Sequence, residues 1–388
     1  MKILVVTPYL GATYGGTSKV VTELVQRVGE LGVTVDLIAT NANDSDNLDV
    51  PLNVWIDKEC YRVQYFSCWH RHDLIISPSL ITWLFNHVID YSLVHTHTMF
   101  SPLLSVTHYI SKFHQIPYIM TPHGMLEPWA LSYKAWKKRF YYALFEKPAL
   151  QLSNAIQVLA AGEANSVKSL NLKQPVVIVP NGIDRQEFES LSEPEIFYQQ
   201  FPATRNKTLI LFLGRIDPKK GLNLLAPAFA KVHNQFPQTH LVVAGPDSIG
   251  FLPTAQSYFE QARCLDAVTF TGMLAGSLKY AALAAASLYV APSYSEGFSM
   301  SVLEGMGSGL PCIITIGCNF PEAADAKAAY VVNIDADAIA DALIYFLKNP
   351  KYAKKMGDRA REFIFQNYTW EQSAKKLTQV YEAAVLSS

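Results

Sequence analysis

Two cations and two carboxylates stand at fixed spacings in the second half of this 388-residue chain. FLGRIDPKKG sets Arg215 and Lys220 just after an apolar run, and SYSEGFSMSVLEGMGSG, residues 293–309, keeps Glu296 and Glu304 in apolar surroundings. Two like charges aimed at one place repel unless an anion lies between them. A diphosphate meets that need, because guanidinium grips oxygens in bidentate fashion and ammonium acts as a point charge. Glu296 falls in the loop after SLYVAPS, and Ser299 or Ser301 is placed to cap a helix that carries Glu304 in its early turns. Free amides at such a helix start bind phosphate or sugar hydroxyls, while the carboxylates accept hydrogen bonds from hydroxyl pairs. The plainer alternatives are a solvated basic turn, which suits Lys219 better than Arg215, and acids that merely complement a helix dipole.

The first half offers glycines and imidazoles. In YLGATYGGTSKVVTELV, Gly11, Gly15 and Gly16 precede a helix, where backbone can approach a ligand. The dinucleotide fingerprint needs GxGxxG and an acid about 20 residues on, at the end of the second strand. The glycine spacing is wrong and Asp36 lies inside VTVDLIAT, which argues against a simple NAD site. His95 and His97 share one face near the end of SLVHTHT, one of them suited to a structural role, and His123 sits just beyond PYIMT between Pro122 and Gly124, in a loop position that favours function. Cys60, Cys68, His70 and His72 match no standard metal spacing. The DxD pairs Asp44/Asp46 and Asp335/Asp337 read as a polar loop and a helix cap, so no metal or other cofactor is expected.

These residues need strands to present them. Apolar runs bounded by turn residues alternate with helical patterns: KILVVTP, VTVDLIAT, SLVHTHT, PYIMTPHG, AIQVLA and QPVVIVPNGI, then TLILFLGRI, THLVVAGP, AVTFTG, SLYVAPS and PCIITI. Short continuous Val/Ile/Leu runs are the mark of buried parallel strands with helical crossovers, hence an α/β, doubly wound architecture. Ligands bind at the carboxyl ends of such strands, and two such domains make that edge an interdomain cleft. The series restarts near Thr208 after a polar stretch, residues 181–207, that reads as a linker, and YTWEQSAKKLTQVYEAAVL has the spacing of a terminal amphipathic helix. Half of the residues are hydrophobic and only 17% charged, enough for a large core. The net charge of -1 leaves no global field to attract nucleic acid, so any charged partner must be held locally. Five cysteines without CxxC spacing point to a reducing compartment. The opening MKILVVTPYL is too brief for a signal peptide, and no run reaches the roughly 18 to 20 apolar residues of a spanning helix.

GRIDPKKG, PSYSEGFSMSVLEGMGSGLP, TPHG, VPNGID and YTWEQSA, in this order, resemble the retaining glycosyltransferases of family GT4, including those of bacterial polysaccharide assembly. The set is specific through EGF-x5-E and GR-x4-KG, and it spans nearly the whole chain. The resemblance implies a GT-B fold, with an acceptor domain at 1–184, a nucleotide-sugar domain at 185–368 and a C-terminal helix, 369–388, crossing back to the first. It implies that Arg215 and Lys220 hold a donor diphosphate, Glu304 the ribose, and Glu296 with the amides of Gly297, Phe298, Ser299 and Met300 the transferred sugar. Met273 and Leu274 would contact the base, Gly16 would approach the diphosphate, and His123 would face the sugar. Tyr14, His97 and Glu127 are expected on the acceptor side.

The expected activity is that of a metal-independent hexosyltransferase with a front-face mechanism. It would take a UDP-hexose, by family frequency UDP-glucose, to a saccharide or lipid-linked saccharide. A non-catalytic nucleotide-sugar sensor and a GT-B-fold epimerase or phosphorylase are the alternatives. Lys134, Trp136, Lys137, Lys138 and Arg139 set basic beside aromatic residues, which suits either a membrane-surface helix or a solvated one. A cytoplasmic location follows, with peripheral contact at the inner face of the plasma membrane under the first of these readings.

Overall fold

The computed structural model describes residues 1–11, 14, 16–43, 46–71, 74–127 and 135–387, the side chains of 135 and 137 excepted. The chain forms two compact units, Met1–Asn181 with Trp370–Ser388, and Gly182–Thr369.

Unit 1 is built on eight strands: β1 Lys2–Val6, β2 Thr34–Thr40, β3 Trp55–Asp57, β4 Arg62–Phe66, β5 Leu93–His97, β6 Tyr118–Thr121, β7 Ala155–Val158 and β8 Val176–Ile178. Their order is β8-β7-β6-β5-β1-β2-β4-β3, all parallel except the edge strand β3. The chain winds outward from β1 to one side and then from β5 to the other, so the sheet switches direction between those two neighbours. Side chains alternate across the pleat. Ile3, Val5, Leu37 and Leu93 pack under helix α1, Gly16–Glu30, and the C-terminal helix Trp370–Leu386. Leu4, Val6, Ile38 and Val94 face Leu80 and Leu84 of helix Pro78–His87 and Leu103 and Ile110 of helix Pro102–Phe113. Helix α2, Ala161–Lys168, follows β7.

Unit 2 repeats the plan with β9 Thr208–Leu213, β10 Thr239–Ala244, β11 Val268–Gly272, β12 Leu288–Ala291, β13 Cys312–Thr315 and β14 Tyr330–Val332, in the parallel order β11-β10-β9-β12-β13-β14. Its switch point lies between β9 and β12. Helices α3 Leu222–Gln235, α4 Gly276–Ala285 and α5 Met300–Gly307 follow β9, β11 and β12. Leu209, Leu211 and Leu213 face one core with Val302, Leu303 and Met306, and Ile210 and Phe212 face the other with Leu225, Phe229 and Val232.

All eleven apolar runs quoted from the sequence are strands, and both sheets are doubly wound. The stretch 181–207 departs from the linker expected there. It holds helices Arg185–Glu189 and Pro194–Gln200, started by the Asp184 N-cap and by Pro194, and buries Phe188 and Phe197 in unit 2. Polar turns masked two aromatic anchors. Strands β3, β4 and β14 were also not singled out; RVQYF alternates polar and apolar residues, so it lacks the continuous apolar run of its neighbours.

Candidate active site

In unit 2 the two loops at the switch point are locked together. The turn after β9 runs through Gly221, whose φ is +71°, and a Cβ there would lie 2.0 Å from the Pro292 carbonyl oxygen of the loop after β12. Only glycine allows that approach. Tyr294 donates its N–H to the Lys219 carbonyl at 2.8 Å, and Thr315 Oγ1 donates to the Ser293 carbonyl at 2.5 Å. Into this frame Lys220 Nζ reaches Glu296 Oε1 at 2.6 Å, with Ser293 Oγ donating to the same oxygen at 2.7 Å. The two charged side chains are only 13% and 10% exposed. Burial pushes the Glu296 carboxyl up, but the Lys220 ammonium and the two hydrogen bonds outweigh it, so the carboxyl stays below its usual range. Lys219, crowded by the same loops, is held below the usual lysine range by burial.

Glu304 lies in the second turn of α5 and is held by Lys279 of α4 at 2.7 Å, again a half-buried pair. Further along, α5 packs its Gly305 against the Tyr289 ring of β12; a Cβ there would sit 2.8 Å from that ring. Ser299 occupies the N-cap, but its hydroxyl shares a hydrogen bond with Ser301 at 3.2 Å and caps no amide, so the first amides of α5 have no side-chain cap. Phe298 stacks into an aromatic cluster with Phe320 and Tyr368, which leaves its backbone as the group available for binding. Arg215 is 59% exposed and 3.4 Å from Asp217, apart from the Lys220 pair. Met273 is open to solvent at 67% while its neighbour Leu274 is buried.

The carboxyl edge of unit 1 gathers the imidazoles. His95 is the structural member: its Nδ1 meets Tyr381 Oη of the C-terminal helix at 2.7 Å and its Nε2 meets Thr121 Oγ1 at 2.7 Å. Thr121 donates onward to Gln157 Oε1, so His95 carries its proton on Nε2 and Tyr381 donates to Nδ1. His97 is buried beside it and shares a hydrogen bond with His123, Nδ1 to Nε2 at 3.0 Å. Burial holds His95 down to about 3 and His123 to about 4, and His97 well below the usual range, so all three imidazoles are neutral at pH 7.

Three non-glycine residues at this edge have left-handed backbone: Thr98, Phe100 and His123, with φ of 78°, 60° and 52°. Two buried carboxyls hold them in place. Glu146 accepts the Phe100 N–H at 2.6 Å, and Glu163 accepts the Gly124 and Leu159 N–H groups at 2.6 and 2.8 Å. Burial pushes both carboxyls up to about 7.

The structure thus brings His97 to His123 and Lys220 to Glu296. Gly16 begins α1, and no described residue lies within 4 Å of where its Cβ would stand; Tyr14 stacks on Tyr9 at 3.8 Å, and Glu127 accepts from Ser166 Oγ at 2.9 Å. Lys134 and the Lys137 side chain lie outside the described residues, as do Gly15, Asp44 and His72. Asp335 caps the helix after β14 by accepting from the Ala338 N–H. Asp36, rejected as a ribose ligand, is a buried counter-ion for Arg62 at 2.5 Å. Sequence reasoning missed Lys279, Glu146 and Glu163. Lys279 was detectable as the one cation in the helix after AVTFTG, whereas the sequence does not mark the two glutamates as bracing this edge, since their partners there, Phe100 and Gly124, lie 46 and 39 residues away.

Residues 14–187 match the family model described as Glycosyltransferase Family 4, and residues 195–363 match that of Glycosyl transferases group 1. Alpha-maltose-1-phosphate synthase of Mycolicibacterium smegmatis is 25% identical over 313 residues, 75% of this chain and 78% of that one. Sucrose-phosphate synthase from Thermosynechococcus elongatus superposes with a TM-score of 0.78 at 20% identity over the whole of both chains. Anabaena HepE, solved in complex with UDP-glucose, does so with a TM-score of 0.77 at 15% identity, over 98% of this chain and 99% of that one. With both halves matched and the fold shared end to end, the chain belongs to the family 4 glycosyltransferases and has the GT-B fold.

Proposed function

We propose that this glycosyltransferase is a retaining hexosyltransferase that moves glucose from UDP-glucose to a saccharide or lipid-linked saccharide in polysaccharide biosynthesis. The observation that carries the reading is the pair of lysine-held carboxylates before and within α5: Glu296 with Lys220 and Glu304 with Lys279. Each carboxylate has an ammonium partner, and a nucleotide-sugar offers hydroxyls to both carboxylates and a diphosphate to the cations. The likeness to HepE, a protein solved with UDP-glucose, supports this donor.

In this reading Lys220 and Arg215 take the diphosphate, Glu296 and the amides of Gly297–Met300 the hexose, Glu304 the ribose, and Met273 and Leu274 the base. Gly16 and His123 are the unit 1 groups assigned to the donor, and Tyr14, His97 and Glu127 belong to the acceptor side. The anomeric C–O bond breaks with its electron pair passing to the diphosphate. The acceptor oxygen bonds to the same face of the sugar, its proton passes to the departing phosphate oxygen, and configuration is retained. Fixed cations and helix amides stabilise the leaving charge without reorganising, which is usually the largest catalytic contribution. Neutral His123 is suited to hydrogen-bond a sugar hydroxyl without adding charge. The reading needs no divalent metal, so transfer should proceed undiminished in excess EDTA.

Trp136 and Phe140 are largely exposed beside Arg139, and Lys138 lies over the Phe100 ring. This pattern supports peripheral contact with an anionic membrane at the cytoplasmic face. No helix among the described residues is long and apolar enough to cross one.

The test is a nucleotide-sugar screen by thermal shift, followed by mass and NMR analysis of products. UDP-glucose should stabilise the protein most, and the product should keep the donor's anomeric configuration. Glu304→Ala should raise the donor KM at least about tenfold, the loss of a charged hydrogen bond, and an unchanged KM would refute the ribose assignment. Donor binding without hydrolysis or transfer would point to a sensor.

A further inference from the structure

The free edge of the unit 1 sheet carries a groove of about 770 Å³ that the transfer chemistry leaves unused. Strands β3 and β4 and helix Pro78–His87 form it. Gln64 lies opposite Trp55 in the β3–β4 ladder, and directly paired residues share one face of a sheet. Its side chain lines the groove, is only 4% exposed, and has an amide oxygen that is buried with no hydrogen-bond partner. Buried polar groups are nearly always paired, so an unpaired amide oxygen in the groove wall points to a partner that arrives from outside.

The walls say what that partner is made of. The Trp55 and Trp83 indoles meet edge to face, 5.8 Å apart at 74°, and Phe66 backs Trp83 at 5.8 Å. Around them the exposed rim carries Asn53, Thr82 and Asn86. No carboxylate lines the groove, and Arg62, which stacks on Trp55 at 4.3 Å, is already committed to Asp36. His87 also lines the groove, stacked on Trp83 at 4.9 Å and 3.4 Å from Asp90. Aromatic rings beside amides and a hydroxyl fit a ligand with apolar C–H faces and a hydroxyl rim, which is the chemistry of a pyranose ring. We propose that this groove, built on Trp55, Trp83 and the unpaired amide oxygen of Gln64, is a second binding site for a neutral saccharide, separate from the loops that follow the strands. It does not depend on the donor assignments above.

The test is calorimetric titration of the full chain with maltotetraose and, separately, with an α-linked mannotetraose. At least one is expected to bind at the millimolar level, with Trp83→Ala and Gln64→Leu each weakening it at least about tenfold. Stabilisation by UDP-glucose should be unchanged in both variants. Gln64→Leu also controls for folding: it removes an unpaired buried amide, so its melting temperature should match or exceed that of the parent. Three results would overturn the proposal. One is no binding of either sugar up to about 10 mM, beyond the weak end of measurable affinity; another is binding that both variants leave intact. The third is a self-associated state that Trp83→Ala reduces to monomer while no sugar binds, which would make the groove an interface between copies.

Discussion

Lys220 and Glu296 are each the reason the other can be buried. Removing one partner of a buried pair leaves a charge without compensation and costs about 3–5 kcal/mol. Lys220→Ala should therefore lower both stability and transfer, whereas Lys220→Ala/Glu296→Ala should regain most of the stability and none of the activity. Chemical denaturation and initial rates on the same preparations separate the two effects. If the double variant were as unstable as the single one, the pair would not be the source of the loss. The sequence carried both residues as site candidates because each follows an apolar run, which is how chemistry is placed in an α/β sheet. That they touch was not legible, since 76 residues separate them and only the strand order brings β9 beside β12. The opposite happened at His95 and His97, where a shared strand face was legible and the division of labour depended on Tyr381, 286 residues from His95.

Helix α5 carries Glu304 and continues the loop that holds Glu296, and it is seated on β12 through Gly305. Gly305→Ala would press a methyl group into the buried Tyr289 ring and should cost about 1–3 kcal/mol. By lifting the helix it should also raise the donor KM, although residue 305 is not assigned to the ligand. Thermal melts with and without UDP-glucose test both expectations; a variant with lowered stability and an unaltered donor KM would show that α5 positions nothing. Regular elements of this kind were readable from apolar runs, helix spacing and the polar start at Ser299. The edge of the sheet was not: β4 places Arg62 and Gln64 within a strand, so its pattern reads as mixed. The stretch 181–207 failed for a related reason, because Phe188 and Phe197 are too sparse to announce a core contact against the surrounding polar turns.

Across the whole molecule, buried titratable groups in unit 1 oppose each other. His95, His97, His108 and His123 are held below their ordinary range by burial, so the unfolded chain binds protons that these folded imidazoles refuse, and stability falls as pH drops below about 6.5. Glu146 and Glu163, pushed up to about 7, work the other way: their protonated forms favour the fold, and that advantage is lost as pH rises from 4.5 through 7. Four imidazoles against two carboxyls leave a net loss on acidification. The unfolding midpoint in urea should fall between pH 6.5 and 4.5, by up to about 1.4 kcal/mol per pH unit for each net proton. His123→Asn should flatten that slope, and a midpoint that rose on acidification would contradict this account. The two-domain plan was readable from the restart of the strand series, and the fate of the last helix was not, since an amphipathic stripe does not say what it covers.

That last helix has a consequence for how the protein is made. Tyr381 donates to His95, and Leu377 and Val380 complete the core beneath β1, so unit 1 is assembled from two segments on either side of unit 2. The second unit is continuous and has all its residues before the first unit does. During synthesis the later-encoded unit can reach its native state while the earlier one waits, one layer short, for the final turns to leave the ribosome. A premature stop just before Trp370 should therefore leave unit 1 without this layer although every residue of unit 2 has been made.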